Sequence, residues 1–489
     1  MKKVAGKRLV FLMCVFSLLC FTFFTPRSTI AAEKAIPGSM VEKVPKPNAA
    51  FDAANHSDMS DFDPLKWVSP KGDTIKVAVF GPFSGTGQLN AELYWMAMTW
   101  AAHDINKRGG IFVDGKKKLI EVIKADHQNK TDVCKKVAER MVLQEKVKFF
   151  VGTNGSHLMK VMNTIAAQHK IICMNFASLS SELQDATNFT PYSFMTTYSA
   201  SVAGKSFAYY YGKLRKKEKK FYILCQDYLY GRDMAGAFRK GLEEYYPEAQ
   251  IVGEDFHKLF LTDYAPYLEK IRGSDAEVIY TSDWSPDCVN LIKQANQLNV
   301  KLPFAGNYLN NPETLAEIGI EGSLGLVNLS PILVDNPQFK TPDEIKISKM
   351  WNDQWKKWKQ PYNSIIYEHY ISAYTASWAQ TAYWLFNVIE RAKTTNADDI
   401  IKVWEGDTYR TSNGKIWKMR ACDHQLIQDM AVTEYVAPRD QKISYNIPPY
   451  YWYKGTSWSG PVSVIPAAYV LPSMDPNLDR CKGKNGWGE

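Results

Sequence analysis

Three segments rich in glycine, serine and threonine follow apolar, β-prone runs in the first half of the chain. They are Gly81-Pro82-Phe83-Ser84-Gly85-Thr86-Gly87-Gln88, Gly152-Thr153-Asn154-Gly155-Ser156-His157 and Asn175-Phe176-Ala177-Ser178-Leu179-Ser180-Ser181. Backbone N–H groups at helix starts, joined by side-chain hydroxyls, make such loops donors for a carboxylate or an amide. Ordinary turns use the same residues, so the weight lies in their coincidence at three strand ends. Further on, Gln226-Asp227-Tyr228-Leu229-Tyr230-Gly231 and Ser282-Asp283-Trp284-Ser285-Pro286 add rings and acids that can close over a small molecule. Tyr230 and Trp284 suit a partly wet domain interface equally well.

Catalytic chemistry finds no matching constellation. Ser156 and His157 are adjacent, and neighbours on one loop seldom present a base to the hydroxyl; no G-x-S-x-G elbow occurs. The phosphate loop G-x-x-x-x-G-K-[ST], H-E-x-x-H and a complete G-x-G-x-x-G are absent as well. His103 and His127 lie in or beside regular elements and read as surface or satisfied core groups. The expectation is a protein without catalytic residues, cofactor or metal.

The elements that position these loops alternate. Ile75–Phe80, Leu119–Ile123, Val147–Val151 and Ile171–Met174 are short β-prone runs with helical stretches between them. In one such stretch Val133, Val137 and Met141 repeat at helical spacing behind a Thr131 cap and a first-turn Asp132. A second series has strands at Phe221–Cys225, Gln250–Gly253, Glu277–Thr281 and Leu302–Ala305 and a helical stripe of Met234, Phe238 and Leu242. Strand alternating with helix implies parallel sheets covered on both faces. Two such series predict two similar lobes; the long Ser180–Lys220 stretch argues against a closed eight-fold barrel. Beyond Ser330 a helix is expected from about Tyr367 to Lys393. Trp351, Trp355 and Trp358 share a helix face that reads as core, and the Pro-, Tyr- and Trp-rich tail from Tyr445 to Pro472 is expected to wrap the surface.

At 489 residues, 45% hydrophobic and 22% charged, the chain has the material for two globular domains. Its net charge of +8 owes five charges to Lys2, Lys3, Lys7, Arg8 and Arg27, in a 32-residue segment without acids. The +3 that remains is no nucleic-acid footprint. Basic residues, the apolar Leu9–Phe24 run and Ala31-Ala32 describe a secretory signal peptide, cut after Ala31 or Ala32; an uncleaved anchor is the alternative. Export to the periplasm or outside the cell permits disulfides among Cys134, Cys173, Cys225, Cys288, Cys422 and Cys481, whose pairing the spacing does not fix. A Cys422–Cys481 bridge would fasten the tail.

These residues resemble the extracytoplasmic substrate-binding proteins of ABC importers, of the leucine and branched-chain amino acid type. Ile75–Gly85 is similar to that family's first strand and G-P-x-S-G loop. Ala101-Ala102-His103-Asp104-Ile105-Asn106-Lys107-Arg108-Gly109-Gly110-Ile111 matches its A-x-x-x-I-N-x-x-G-G-I helix ending, Asp227–Gly231 its D-x-x-Y-G turn, and Leu291–Ala295 the helix after its seventh strand. The likeness runs over roughly 73–435. It implies a type I periplasmic binding protein fold: α/β, two Rossmann-like lobes with parallel central sheets, joined by a three-segment hinge that closes on ligand.

Laid on this sequence, the fold divides into a signal peptide (1–32), a leader (33–72), lobe 1 (73–194 plus 331–420) and lobe 2 (195–330 plus 421–489). The resemblance implies Ser156 as donor to a ligand carboxylate, Ala177, Ser178 and Leu179 as backbone contacts, and Tyr230 and Trp284 as the opposite wall. His157, Asp227 and Tyr308 complete the expected ligand set. Where amino-acid binders of this family place a threonine that holds the ammonium, this chain has Leu179, and Tyr308 stands where they place an acid. These departures point to a carboxylate, an amide or an aromatic compound without a free amine, unless Asp227 or Asp283 compensates. Cys134 is present, but Gly155 occupies its partner's place. The implied partners are a small-molecule ligand and a membrane permease–ATPase complex, met by a monomer. A sensory domain reporting to a signalling protein is the alternative, with a secreted hydrolase third.

Overall fold

Strand β1 (Ile75–Gly81) is buried along nearly its whole length, as a strand covered on both faces must be. In the computed structural model, which describes residues 51–53, 55–331, 373–411, 415–436 and 458–489, it is an interior strand of a five-stranded parallel sheet. Its partners are β2 (Ile120–Asp126), β3 (Phe149–Gly152), β4 (Ile172–Asn175) and β5 (Ser193–Met195), in the order β2-β1-β3-β4-β5. Helices α1 (Gln88–Lys107), α2 (Thr131–Leu143) and α3 (Ser156–His169) make the connections. On α2 the buried face is Cys134, Ala138 and Met141, one residue round from the expected stripe, and the N-cap is Lys130 without a side-chain bond. Asp132 sits in the first turn as expected.

The second lobe repeats the plan with β6 (Lys220–Gln226), β7 (Gln250–His257), β8 (Val278–Tyr280), β9 (Phe304–Gly306) and β10 (Val327–Ser330), all parallel. Two antiparallel strands, β11 (Met430–Val436) and β12 (Trp458–Ile465), extend it to the order β12-β11-β10-β9-β8-β6-β7. Part of the tail expected to wrap the surface is therefore a sheet edge, where its Pro461 is tolerated. Helices α4 (Ala200–Tyr209), α5 (Leu229–Tyr245), α6 (Ala265–Arg272), α7 (Asp287–Gln297) and α8 (Pro312–Ser323) flank this sheet. At the α4–α5 crossing a Cβ on Gly204 would lie 2.2 Å from the Ala237 carbonyl carbon, and one on Gly241 2.8 Å from the Gly204 oxygen. Only glycine lets these backbones meet. Helices α9 (Ala373–Ala392) and α10 (Ala397–Trp404) return to the first lobe, α9 lying on α1. Trp351, Trp355 and Trp358 and the export segment fall outside the described residues.

The leader behaves as a strap. Phe51, Met59 and Phe62 are buried, and Phe62 meets Trp100 edge-on at 5.3 Å. The fully buried Asp104 accepts from the Ser57 N–H (2.7 Å), Tyr383 Oη (2.9 Å) and Arg108 Nε (3.0 Å), so strap, α1 and α9 share one carboxylate. At the other terminus Arg420, wholly buried, forks onto Asp423 and donates to the carbonyls of Pro472 and Gly486 (2.8 Å each). Beside it Cys422 and Cys481 form a disulfide; Cys134, Cys173, Cys225 and Cys288 are buried free thiols. Among the described residues no helix is long and apolar enough to cross a membrane.

Two outcomes follow for stability. Replacing Phe62 by Ala strips the strap of its main ring contact and should lower unfolding free energy by roughly 3 kcal/mol in urea titration; an unchanged midpoint would show the strap to be dispensable. Cys422→Ser with Cys481→Ser opens a loop of 59 residues and should lower stability by about 2–4 kcal/mol, read as a lower Tm that reductant reproduces in the parent protein; equal Tm values in both would contradict it.

Candidate functional site

Every strand-end loop singled out above, apart from the first, contributes to one cavity of about 50 Å³ between the lobes. From lobe 1 come Asn154, Gly155 and Ser156 at the start of α3, then Ala177, Ser178 and Leu179 after β4. From lobe 2 come Tyr228 and Tyr230 at the start of α5, Trp284 and Ser285 after β8, and Tyr308 and Asn311 after β9. Asn90, Leu93 and Tyr94 on α1 and Trp378 on α9 close the remaining side.

The lobe-1 loops are held by their own polar side chains. Asn175 Oδ1 accepts from the N–H groups of Ala177 (3.3 Å) and Ser178 (2.9 Å), while its amide donates to the Ser178 carbonyl (2.8 Å). Ser178 Oγ donates to the Thr153 carbonyl (2.5 Å), tying the β3 and β4 loops together. Buried His127 lies 2.6 Å from Thr153 Oγ1, and its Nδ1 accepts from the Asn129 N–H, so Nε2 carries the ring proton. Burial pushes its pKa down to about 4, which keeps the ring a neutral brace. The Ala177 and Ser178 amides are thus spent within the loop; the Leu179 N–H has no acceptor among the described residues. At α3 the N-cap is Gly155 at φ 87°, and no side chain caps the helix. Its first-turn N–H groups and positive dipole end stand at the cavity wall.

The lobe-2 wall is aromatic and hydrogen-bonded. Tyr230 Oη donates to Asn307 Oδ1 (2.9 Å), Asn307 donates to Tyr198 Oη (3.0 Å), and Trp284 Nε1 donates to Tyr228 Oη (3.1 Å). Tyr308 Oη reaches across to the Ala177 carbonyl (3.4 Å), and the His157 and Tyr228 rings meet edge-on at 6.0 Å, so the lobes are in contact. On the far side Tyr94 stacks edge-on with Trp378 at 4.6 Å. Burial raises the phenol pKa of Tyr94, Tyr228, Tyr230 and Tyr308, leaving each protonated. Six rings therefore face a cavity whose lining holds no Asp, Glu, Lys, Arg or His. The Oδ1 of Asn311 is a buried acceptor without a donor among the described residues.

Of the residues predicted from sequence, Ser156, Ala177, Ser178, Leu179, Tyr230, Trp284 and Tyr308 line this cavity, whereas His157 and Asp227 do not. His157 sits behind the wall on the Tyr228 ring, and exposed Asp227 pairs with Arg232 at 2.7 Å. Nor does Asp283 supply a charge: it is buried against His257 at 3.0 Å. The sequence reading missed Asn90, Leu93, Tyr94, Asn154, Gly155, Tyr228, Ser285, Asn311 and Trp378 as wall residues. Asn154, Gly155, Tyr228 and Ser285 lay within the chosen loops, but Trp378 reaches the cavity only through the packing of α9 on α1.

Residues 74–441 match the family model of periplasmic binding proteins. A Leu/Ile/Val-binding protein homolog of Brucella abortus (strain 2308) is 23% identical over 375 residues, covering 74% of this chain and 84% of that one. The Leu/Ile/Val-binding protein of Escherichia coli (strain K12) is 23% identical over 299 residues, 61% of this chain and 77% of its own. Among solved structures, the closed form of a leucine-, isoleucine-, valine-, threonine- and alanine-binding protein from Brucella ovis superposes with a TM-score of 0.68 at 19% identity, over 83% of this chain and 98% of that one. A Rhodopseudomonas palustris HaA2 solute-binding protein in complex with p-hydroxybenzoic acid gives 0.66 at 17%, over 81% and 98%. The chain belongs to the periplasmic binding proteins, with the type I fold of the branched-chain amino acid group, and is a non-enzymatic solute receptor.

Proposed function

We propose that this receptor captures a small carboxylate lacking a free amine, an aromatic acid foremost, and delivers it to an ABC importer after export and signal-peptide cleavage. The observation that carries this reading is a cavity ringed by six aromatic side chains without one Asp, Glu, Lys, Arg or His. An α-ammonium enclosed there would lose its water without gaining a carboxylate, at a cost of several kcal/mol. A ligand carboxylate has better company in Ser156, the Leu179 N–H and the uncapped start of α3. The rings suit a flat apolar body. Asn311 Oδ1 calls for a donor such as a phenol at the other end. Solute-binding proteins from Rhodopseudomonas palustris solved with p-hydroxybenzoic acid, 3,4-dihydroxybenzoic acid and benzoate share the fold and lend support.

Thermal shift tests the ligand class. At a hundredfold excess over Kd, benzoate or 4-hydroxybenzoate should add about 2.7 kcal/mol, a Tm rise of a few degrees, while leucine, isoleucine and valine leave Tm in place; stabilisation by the branched-chain amino acids alone contradicts the reading. Titration of variants tests the anchors: Ser156→Ala should weaken 4-hydroxybenzoate roughly tenfold through one lost charge-assisted bond. Tyr308→Glu should weaken it at least as much by placing a like charge in the cleft. Unchanged Kd in both variants would remove this cavity from consideration.

A further inference from the structure

Outside the cavity one carboxylate spans the two lobes. Asp233, half-buried in the second turn of α5, accepts from the Ser181 N–H (2.5 Å) and the Ser180 hydroxyl (3.1 Å), both in the lobe-1 turn after β4. The Ser180 N–H in turn donates to Ser156 Oγ (3.3 Å), and Ser181 Oγ accepts from the Ser201 N–H at the start of α4 (3.0 Å). A lobe-2 acid thus touches the residue that orients the cavity hydroxyl. We propose that Asp233 is a positioning residue that latches lobe 2 onto the Ser180–Ser181 turn in the closed state and thereby fixes Ser156.

The surroundings of Asp233 make the latch responsive to protons. Among the described residues no cation is paired with it: the titratable groups beside it are Glu182, on the Ser181 turn and of like sign, and the Tyr280 phenol. Burial holds its carboxyl at about 6, with Glu182 adding to the rise and the bonds from Ser181 and Ser180 opposing it. When the lobes part, the carboxyl meets water and returns toward an ordinary value of about 3.9. The closed state therefore takes up a proton. Its closed-state pKa being the higher one, acidification through pH 6 favours closure and alkalinisation disfavours it. Between pH 7 and pH 5 the closed-to-open ratio should rise roughly tenfold.

The latch depends on lobe closure and not on the class of ligand, so the two fail separately. Spin labels on the full chain at Lys160→Cys in α3 and Lys240→Cys in α5, both exposed, report the interlobe distance at pH 7 and pH 5, with and without 4-hydroxybenzoate as probe. The parent should shift toward the shorter distance at pH 5. Asp233→Asn, which keeps the shape and removes this titration, should lose the shift toward the shorter distance at pH 5, and Ser180→Ala should enlarge the open population. A parent distance that ignores pH, or an Asp233→Asn profile matching the parent's, overturns the latch.

Discussion

A charge shut between two protein lobes must be met by an opposite charge or by aligned dipoles, because the water that stabilised it has left. That constraint governs the cleft of this receptor. Its walls offer helix dipole, hydroxyl, amide and ring, and no side chain that ionises. The two acids of the ligand loops that could have met an ammonium are already engaged, Asp227 with Arg232 and Asp283 with His257. The proposed ligand class follows from this composition, with negative charge suited to the α3 terminus and apolar surface to the rest.

The architecture serves this arrangement at several levels. Parallel sheets place every βα loop on one side, so the two lobes present their loop ends to a common gap. Internal hydrogen bonds, such as those of Asn175 and His127, fix the lobe-1 loops before any ligand arrives. Rings tied to one another through Asn307 and Tyr228 give lobe 2 a wall of fixed shape. The strap packs on α1 and α9, the disulfide-closed tail bonds to Arg420 and to Ser201 at the start of α4, and across the gap the lobes meet through Tyr308, Asp233 and the His157–Tyr228 ring pair.

Much of the fold was legible because its signals are local. Short apolar, β-prone runs located β1, β3, β4 and β6 to within a residue or two, and the alternation of strand and helix implied parallel sheets. Strands β10, β11 and β12 were not legible: β10 is a four-residue run with polar Asn328 and Ser330, β11 and β12 are antiparallel additions that carry the sheet to its edge, and the β12 segment has a composition that reads as loop. Of the cavity, the loops that follow strands could be read, since a parallel sheet sends them to one place. Trp378 could not, since nothing near it in sequence tells that α9 lies on α1. Asp227 misled because an acid in a ligand loop looks available until its neighbour Arg232, five residues on, is seen to hold it.

Matched pairs of solutes differing only in the α-amine isolate the central claim. Isothermal titration with 3-phenylpropanoate against phenylalanine, and 4-methylpentanoate against leucine, measures what the cleft charges for an ammonium. The deaminated acid should bind tighter in each pair by on the order of a hundredfold, the equivalent of a few kcal/mol of unmet desolvation. Equal or tighter binding of the amino acid in either pair would contradict the account.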